Sequence, residues 1–161
     1  MKAFLLCVAI VAALLLQSVL TQIAPPQARL FDPFLIVVVY CGLAFGESYG
    51  MFSGTLAGWI QDVYFGGTVM GLSGLSKTLI GFAVGIAGGR LLVSGLAQRL
   101  LLLFAATLMD ALLFERLATV FELNIAELSL SGLVGRCTVN AIVGAGAFEL
   151  LERRVRHVVR P

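Results

Sequence analysis

Apolar residues run through this chain in long blocks, cut by short polar or glycine-bearing breaks. The first block covers residues 3–23, directly after Lys2. A break at 24–31 holds Pro25, Pro26 and Arg29. Asp32-Pro33 then reads as a helix start, with Asp as N-cap and Pro at the first helical position. The blocks that follow predict helices over 33–46, 50–65, 72–89, 100–117 and 129–150. A basic tail occupies 151–161. Between them lie a tight turn at Gly46-Glu47-Ser48-Tyr49-Gly50, a glycine-rich loop over 62–71, a polar connection at 90–99 and an acidic loop at 118–128 with Glu122, Asn124 and Glu127.

The blocks approach the roughly 20 residues needed to cross a bilayer, except that 33–46, at ~21 Å, is short for a ~30 Å hydrocarbon core. The pattern predicts an all-α, polytopic membrane protein of about six transmembrane helices in a single domain, 1–161. Two alternatives stay open. Residues 3–23 also resemble a secretory signal peptide, although the apolar run is long and no small-x-small site closes it. Residues 33–60 form one tilted helix if the turn at Glu47 is absent; that gives five spans and sets Glu47 and Ser48 at mid-membrane, where polar groups are costly.

Composition agrees with the pattern. Of 161 residues 60% are hydrophobic and 12% charged, and mean hydropathy is +1.02, well above a soluble domain. Net charge is only +2, but its placement gives an orientation. With the N-terminus inside, the inner segments carry Lys2, Arg90, Arg99, Arg153, Arg154, Arg156 and Arg160, against Arg29 and Arg116 outside. The positive-inside rule then puts both termini in the cytoplasm. The tail arginines Arg153, Arg154, Arg156 and Arg160 surround an apolar side made by Phe148, Leu151, Val155 and Val158. This suits a helix lying on anionic lipid better than a nucleic-acid site.

Within the blocks, glycines recur every four residues at Gly42, Gly46, Gly50, Gly54 and Gly58, and Asp62 continues the step. A second row holds Gly81, Gly85 and Gly89. Small residues at this spacing let membrane helices approach closely. Each four-residue step drifts about 40° around a helix, so Gly50 to Asp62 spans one face. Gly50, Gly54, Gly58, Asp62, Gly81 and Gly85 are therefore the expected helix-packing or partner-binding surface. The two rows meet each other or a partner's helix. Replacing Gly54 or Gly58 by Leu is expected to break assembly before insertion.

Lys77, Asp110 and Arg136 fall inside predicted spans, each roughly 8–11 Å below the outer surface at 1.5 Å per residue. They form either one paired polar layer or three side chains that snorkel separately to the headgroups. A proton relay needs more carboxylates or histidines, and the one histidine, His157, lies in the tail. No nucleophile–base set, metal-ligand spacing or phosphate loop is present, so no catalytic, cofactor or metal residue is expected. Cys7, Cys41 and Cys137 read as small buried hydrophobes. Tyr49 and Tyr64 suit an interfacial belt. Trp59 reads as core packing, with ligand stacking as the alternative.

The segment Gly50 to Gly85, GMFSGTLAGWIQDVYFGGTVMGLSGLSKTLIGFAVG, resembles the central signature of the MreD family of bacterial rod shape-determining membrane proteins. Asp62, Gly71, Leu72, Leu75, Gly81 and Gly85 fall where that pattern expects them. The resemblance implies a non-enzymatic scaffold of the cell-elongation machinery in the inner membrane. It also implies binding to an MreC-like single-span protein, and work with MreB, RodA and a class B penicillin-binding protein in lateral peptidoglycan synthesis, without cofactors; self-association is left open. It further implies a fold similar to the membrane substrate-binding subunits of energy-coupling-factor transporters. The rival function is thus a vitamin-binding subunit of such a transporter, or another small-molecule or ion permease.

Overall fold

The computed structural model describes residues 2–28, 30–65, 70–90, 95–123 and 129–159. Among these the chain is all helical: α1 (Lys2–Ile23), a single helical turn α2 (Pro25–Ala28), α3 (Pro33–Phe45), α4 (Glu47–Phe65), α5 (Leu72–Arg90), α6 (Leu96–Val120) and α7 (Leu130–Val159). Phe4–Ile23, Leu72–Gly89 and Leu130–Leu151 are long and apolar enough to cross a membrane; Pro33–Phe45 is a shorter apolar helix.

The expected turn after α3 contracts to one residue. Gly46 has φ of 89°, a left-handed conformation open to glycine and strained for other residues, and Glu47 already begins α4. One continuous helix over 33–60 is therefore excluded. The edge-on contact of Phe34 with Phe65, centroids 6.2 Å apart, brings the start of α3 to the end of α4. The two form an antiparallel hairpin.

Two helices outrun their expected limits. α6 begins at Leu96 rather than residue 100, because the Gln98 side chain accepts the Gly95 N–H at 3.1 Å and Arg99 is buried against Glu149 at 3.8 Å. Polar residues that read as a connection are thus absorbed into helix. α7 continues without a break to Val159; thirty residues make a rod of about 45 Å, longer than a hydrocarbon core. Arg153, Arg154 and Arg156 lie on this helix, but their side chains are outside the described residues, as is Arg160. Arg29, Asn124 and Glu127 of the predicted loops are outside them too.

Two apolar clusters fill the bundle. Leu6, Ile10 and Ala13 of α1 pack on Phe34, Val38 and Cys41 of α3 and Ala57 of α4. Leu35, Ile36 and Val39 of α3 meet Ile80, Val84, Leu103, Ala106, Ala141, Ala145 and Phe148 from α5, α6 and α7. The expectation for Trp59 fails: it is 53% exposed. The buried face of α4 is Gly50, Ser53, Gly54, Ala57, Gly58 and Asp62, set against a backbone too close to admit an indole. Cys7 is exposed on α1, while Cys41 and Cys137 are buried.

Candidate functional site

Two features concentrate the polar and conformationally special residues. The first is the seam between α4 and α5. A Cβ added to Gly50 would strike the backbone carbonyl of Gly81, one on Gly54 that of Lys77, and one on Gly58 that of Ser73. Each four-residue step along α4 is matched by four residues backward along α5, so the helices run antiparallel in constant register. Gly81 returns the contact to Gly50, and Gly85 abuts Glu47 at the hairpin. A Cβ added to Gly42 of α3 would lie 3.0 Å from Gly81 O and 3.2 Å from Gly85 N, so a third helix is drawn into the seam. The partner of the glycine ladder is thus the chain's own α5, and the Gly50–Gly54–Gly58 face is covered from within.

Asp62 closes this seam. Its Oδ2 accepts the Gly71 N–H at 2.8 Å and the Ser73 N–H at 3.1 Å. These are donors at the N-terminus of α5 that have no partner within the helix. Gly71, with φ of 98°, makes the turn. Asp62 is 4% exposed, committed to its own chain rather than displayed to another.

The second feature is a buried charge cluster. Lys77 Nζ lies 2.9 Å from Asp32 Oδ2 and 3.5 Å from Asp110 Oδ2. Arg136 Nη2 lies 3.2 Å from Asp32 Oδ2 and 3.3 Å from Asp110 Oδ2. α3, α5, α6 and α7 each contribute one charge, and the sum is zero. Lys77, Asp32 and Asp110 are 2–3% exposed and Arg136 18%. The remaining carboxylate oxygens are also engaged. Asp32 Oδ1 accepts the Leu35 N–H at 3.1 Å as the N-cap of α3, and Ser76 Oγ donates to Asp110 Oδ1 at 2.7 Å. Asn140 Oδ1, one turn beyond Arg136, accepts the Asp32 N–H at 2.9 Å.

Four isolated charges would each cost roughly 2.5–3.5 kcal/mol at the centre of a membrane helix. Mutual pairing with hydrogen bonds offsets this, but truncating one partner leaves the other buried and uncompensated. Every carboxylate oxygen is occupied, so the cluster ties helices together; the donors left over are Arg136 Nε and Asn140 Nδ2. Among the described residues no group of three His, Cys, Asp or Glu is placed to hold a metal ion.

Lys77, Asp110 and Arg136, placed at one depth from the sequence, converge here; the residue missing from that set is Asp32. Its Asp-Pro pattern accounts for it fully as a helix cap, yet it caps with one oxygen and pairs with the other. Charge balance is the signal that finds it: two cations faced one carboxylate, and Asp32 starts a helix at the same end of the bundle. Asn140, one turn after Arg136, is uncharged, and charge balance does not find it.

A family model, described as rod shape-determining protein MreD, matches residues 1–143. No curated protein and no solved structure matches the chain. The match takes in the glycine seam, Asp62 and all four members of the charge cluster. The chain belongs to the MreD family of rod shape-determining membrane proteins.

Proposed function

We propose that this protein is a non-enzymatic scaffold of the cell-elongation machinery, which binds an MreC-like single-span partner and supports lateral peptidoglycan synthesis and cell shape. The match to the rod shape-determining family over residues 1–143 carries this reading. MreB, RodA and a class B penicillin-binding protein are the further partners it implies. A second observation favours a scaffold over the rival vitamin-binding subunit. The four buried charges are paired with one another, although Arg136 Nε and Asn140 Nδ2 beside them have no hydrogen-bond partner. A cavity of about 210 Å³ between α5 and α6 is lined only by apolar residues, among them Ile80, Ala83, Leu102 and Met109. A vitamin site needs convergent polar or aromatic groups.

The proposal includes six spans in a single domain in the bacterial inner membrane, with both termini cytoplasmic, and the likeness to energy-coupling-factor substrate-binding subunits. It rests on seven basic residues in the inner segments against two in the outer. The tail arginines Arg153, Arg154 and Arg156, on the unbroken end of α7, then sit where that helix leaves the inner headgroups. The glycine rows act first inside the chain, leaving the exposed apolar faces of α1 and of the α5–α6 side to lipid or partner.

Affinity purification in mild detergent tests the proposal. Co-elution of a single-span protein with a large periplasmic part is the expected result, together with loss of rod shape on depletion. Thermal stabilisation by a vitamin, without such a partner, would replace the scaffold with the transporter reading.

A further inference from the structure

The long helices after α1 fall into two groups that are held together differently. α3, α4 and α5 meet backbone to backbone through their glycines. α6 and α7 form a second pair, with Gly144 against Leu103 and Arg99 beside Glu149 at 3.8 Å. Between the groups the contacts are side chain on side chain, Ile36, Ile80 and Val84 against Leu103, Ala106 and Ala145. This boundary also carries the apolar cavity of about 210 Å³. In lipid such apolar contacts gain little over contact with acyl chains, so the charge cluster has a large share in joining the groups.

The division of its ion pairs is unusual. Lys77 and Asp32, 2.9 Å apart, both belong to the α3–α5 group. Arg136 and Asp110, 3.3 Å apart, both belong to the α6–α7 group. The pairs Lys77–Asp110 at 3.5 Å and Arg136–Asp32 at 3.2 Å cross the boundary. Each group is therefore neutral within itself. We infer that the cluster is a releasable clasp: the two helix groups can part at the end where α3, α5 and α7 begin, each keeping its own ion pair, so that no charge is stranded in the membrane. Of the neutral bonds that cross with them, that of Ser76 has a substitute. Ser76, 2.7 Å from Asp110 Oδ1, can turn its hydroxyl to the carbonyl four residues back in its own helix. Asn140 and the Asp32 N–H sit beside Arg136, the most exposed member of the cluster.

The native cysteines give the test. Cys137 is 1% exposed and lies four and eight residues before Ala141 and Ala145, on the α7 face turned toward the other group. Cys41 is 4% exposed and packs inside the first group and under α1. Two double variants are compared in lipid nanodiscs by N-ethylmaleimide alkylation, read by mass spectrometry of the peptides. Asp32→Asn with Lys77→Met leaves the Arg136–Asp110 pair, which does not cross. Lys77→Met with Asp110→Asn leaves the Arg136–Asp32 pair, which does. Both retain Arg136 beside Cys137 and remove one cation and one carboxylate. Alkylation of Cys137 relative to Cys41 is expected to be faster by about tenfold in the first variant, equivalent to ~1.4 kcal/mol of easier opening. Equal ratios in the two variants would overturn the clasp. If either variant is not recovered as a monodisperse protein, wild-type protein warmed below its unfolding transition decides: Cys137 reacting ahead of Cys41 supports local parting, and a single common rate rejects it.

Discussion

The glycine seam and the charge cluster solve the same problem in opposite ways. Between α4 and α5 the side chains are removed, and the two backbones approach until a single Cβ has no room at Gly50, Gly54, Gly58, Gly81 or Gly85. Where α3 and α5 face α6 and α7, the helices meet through side chains, and charged groups reach across the boundary. The seam is steric and tolerates no addition. The cluster is electrostatic; it tolerates loss when charges leave in balanced pairs and is intolerant when one leaves alone. Lys77 belongs to both. Its carbonyl packs on Gly54 while its ammonium sits between Asp32 and Asp110. α5 thereby transmits the tight packing of one half to the looser packing of the other.

The largest effect is expected at the seam. Gly54→Ala places its Cβ against the Lys77 carbonyl, and a backbone atom cannot move aside as a rotamer can. The loss should reach or exceed the upper end of the ~1–3 kcal/mol typical of overpacking, read as a lowered midpoint of unfolding in detergent micelles. Gly54→Leu should leave no folded protein, and therefore no partner binding to measure. A Gly54→Ala protein of wild-type stability would show that the ladder does not work by backbone approach. Comparable to Gly54→Ala is Lys77→Met, which leaves Asp32 and Asp110 sharing one arginine and should cost about 3–5 kcal/mol. Adding Asp110→Asn should recover part of that loss. If the double variant costs no less than the sum of the singles, the two residues are not coupled and the cluster is not a network.

This contrast also explains what could be read beforehand. Apolar blocks and glycine breaks marked a helix at α1 and at each of α3 to α7, because a backbone set among apolar side chains away from water must satisfy its polar groups internally. The exception at the start of α6 arose because Gln98 and Arg99 looked like solvent-facing residues, whereas their partners, the Gly95 N–H and Glu149, are distant or backbone groups that periodicity does not display. The four-residue spacing announced a close-packed face, but spacing carries no address; only the matched register with Gly81, Lys77 and Ser73 shows that the face is satisfied within the chain. Lys77, Asp110 and Arg136 stood out because charge in an apolar run always does. Asp32 did not, since a residue already explained as a cap invites no second explanation. Ser76 and Asn140 were silent for another reason: short polar side chains are common in membrane helices and acquire a direction only from tertiary contact. Trp59 was misplaced because burial was assigned by depth along the helix rather than by face around it.

Asp62 tests whether the seam needs its closing cap. Asp62→Ala removes the acceptor of the Gly71 and Ser73 N–H groups and should cost about 0.5–2 kcal/mol, the usual range for an N-cap. Asp62→Asn keeps one acceptor oxygen and should cost less. An alanine variant of unchanged unfolding midpoint would mean that the turn at Gly71 holds α5 without it.

The smallest effect is the most discriminating. Gly89 continues the row of Gly81 and Gly85 at the same four-residue step, yet a Cβ added there meets nothing within 4 Å. The hairpin turn at Gly46 lies opposite Gly85, so the row outlasts the helix it packs on. Gly89→Ala should therefore be neutral, or stabilising by up to about 0.5–1 kcal/mol from the lower helix cost of alanine. Gly74→Ala, whose nearest neighbour is the Trp59 backbone nitrogen at an ordinary 3.6 Å, should be nearly as mild. If Gly89→Ala were as damaging as Gly54→Ala, the glycines would matter through the spacing of the row itself, for a partner helix or for backbone flexibility. A mild Gly89→Ala beside a severe Gly54→Ala instead ties their importance to the atoms they face.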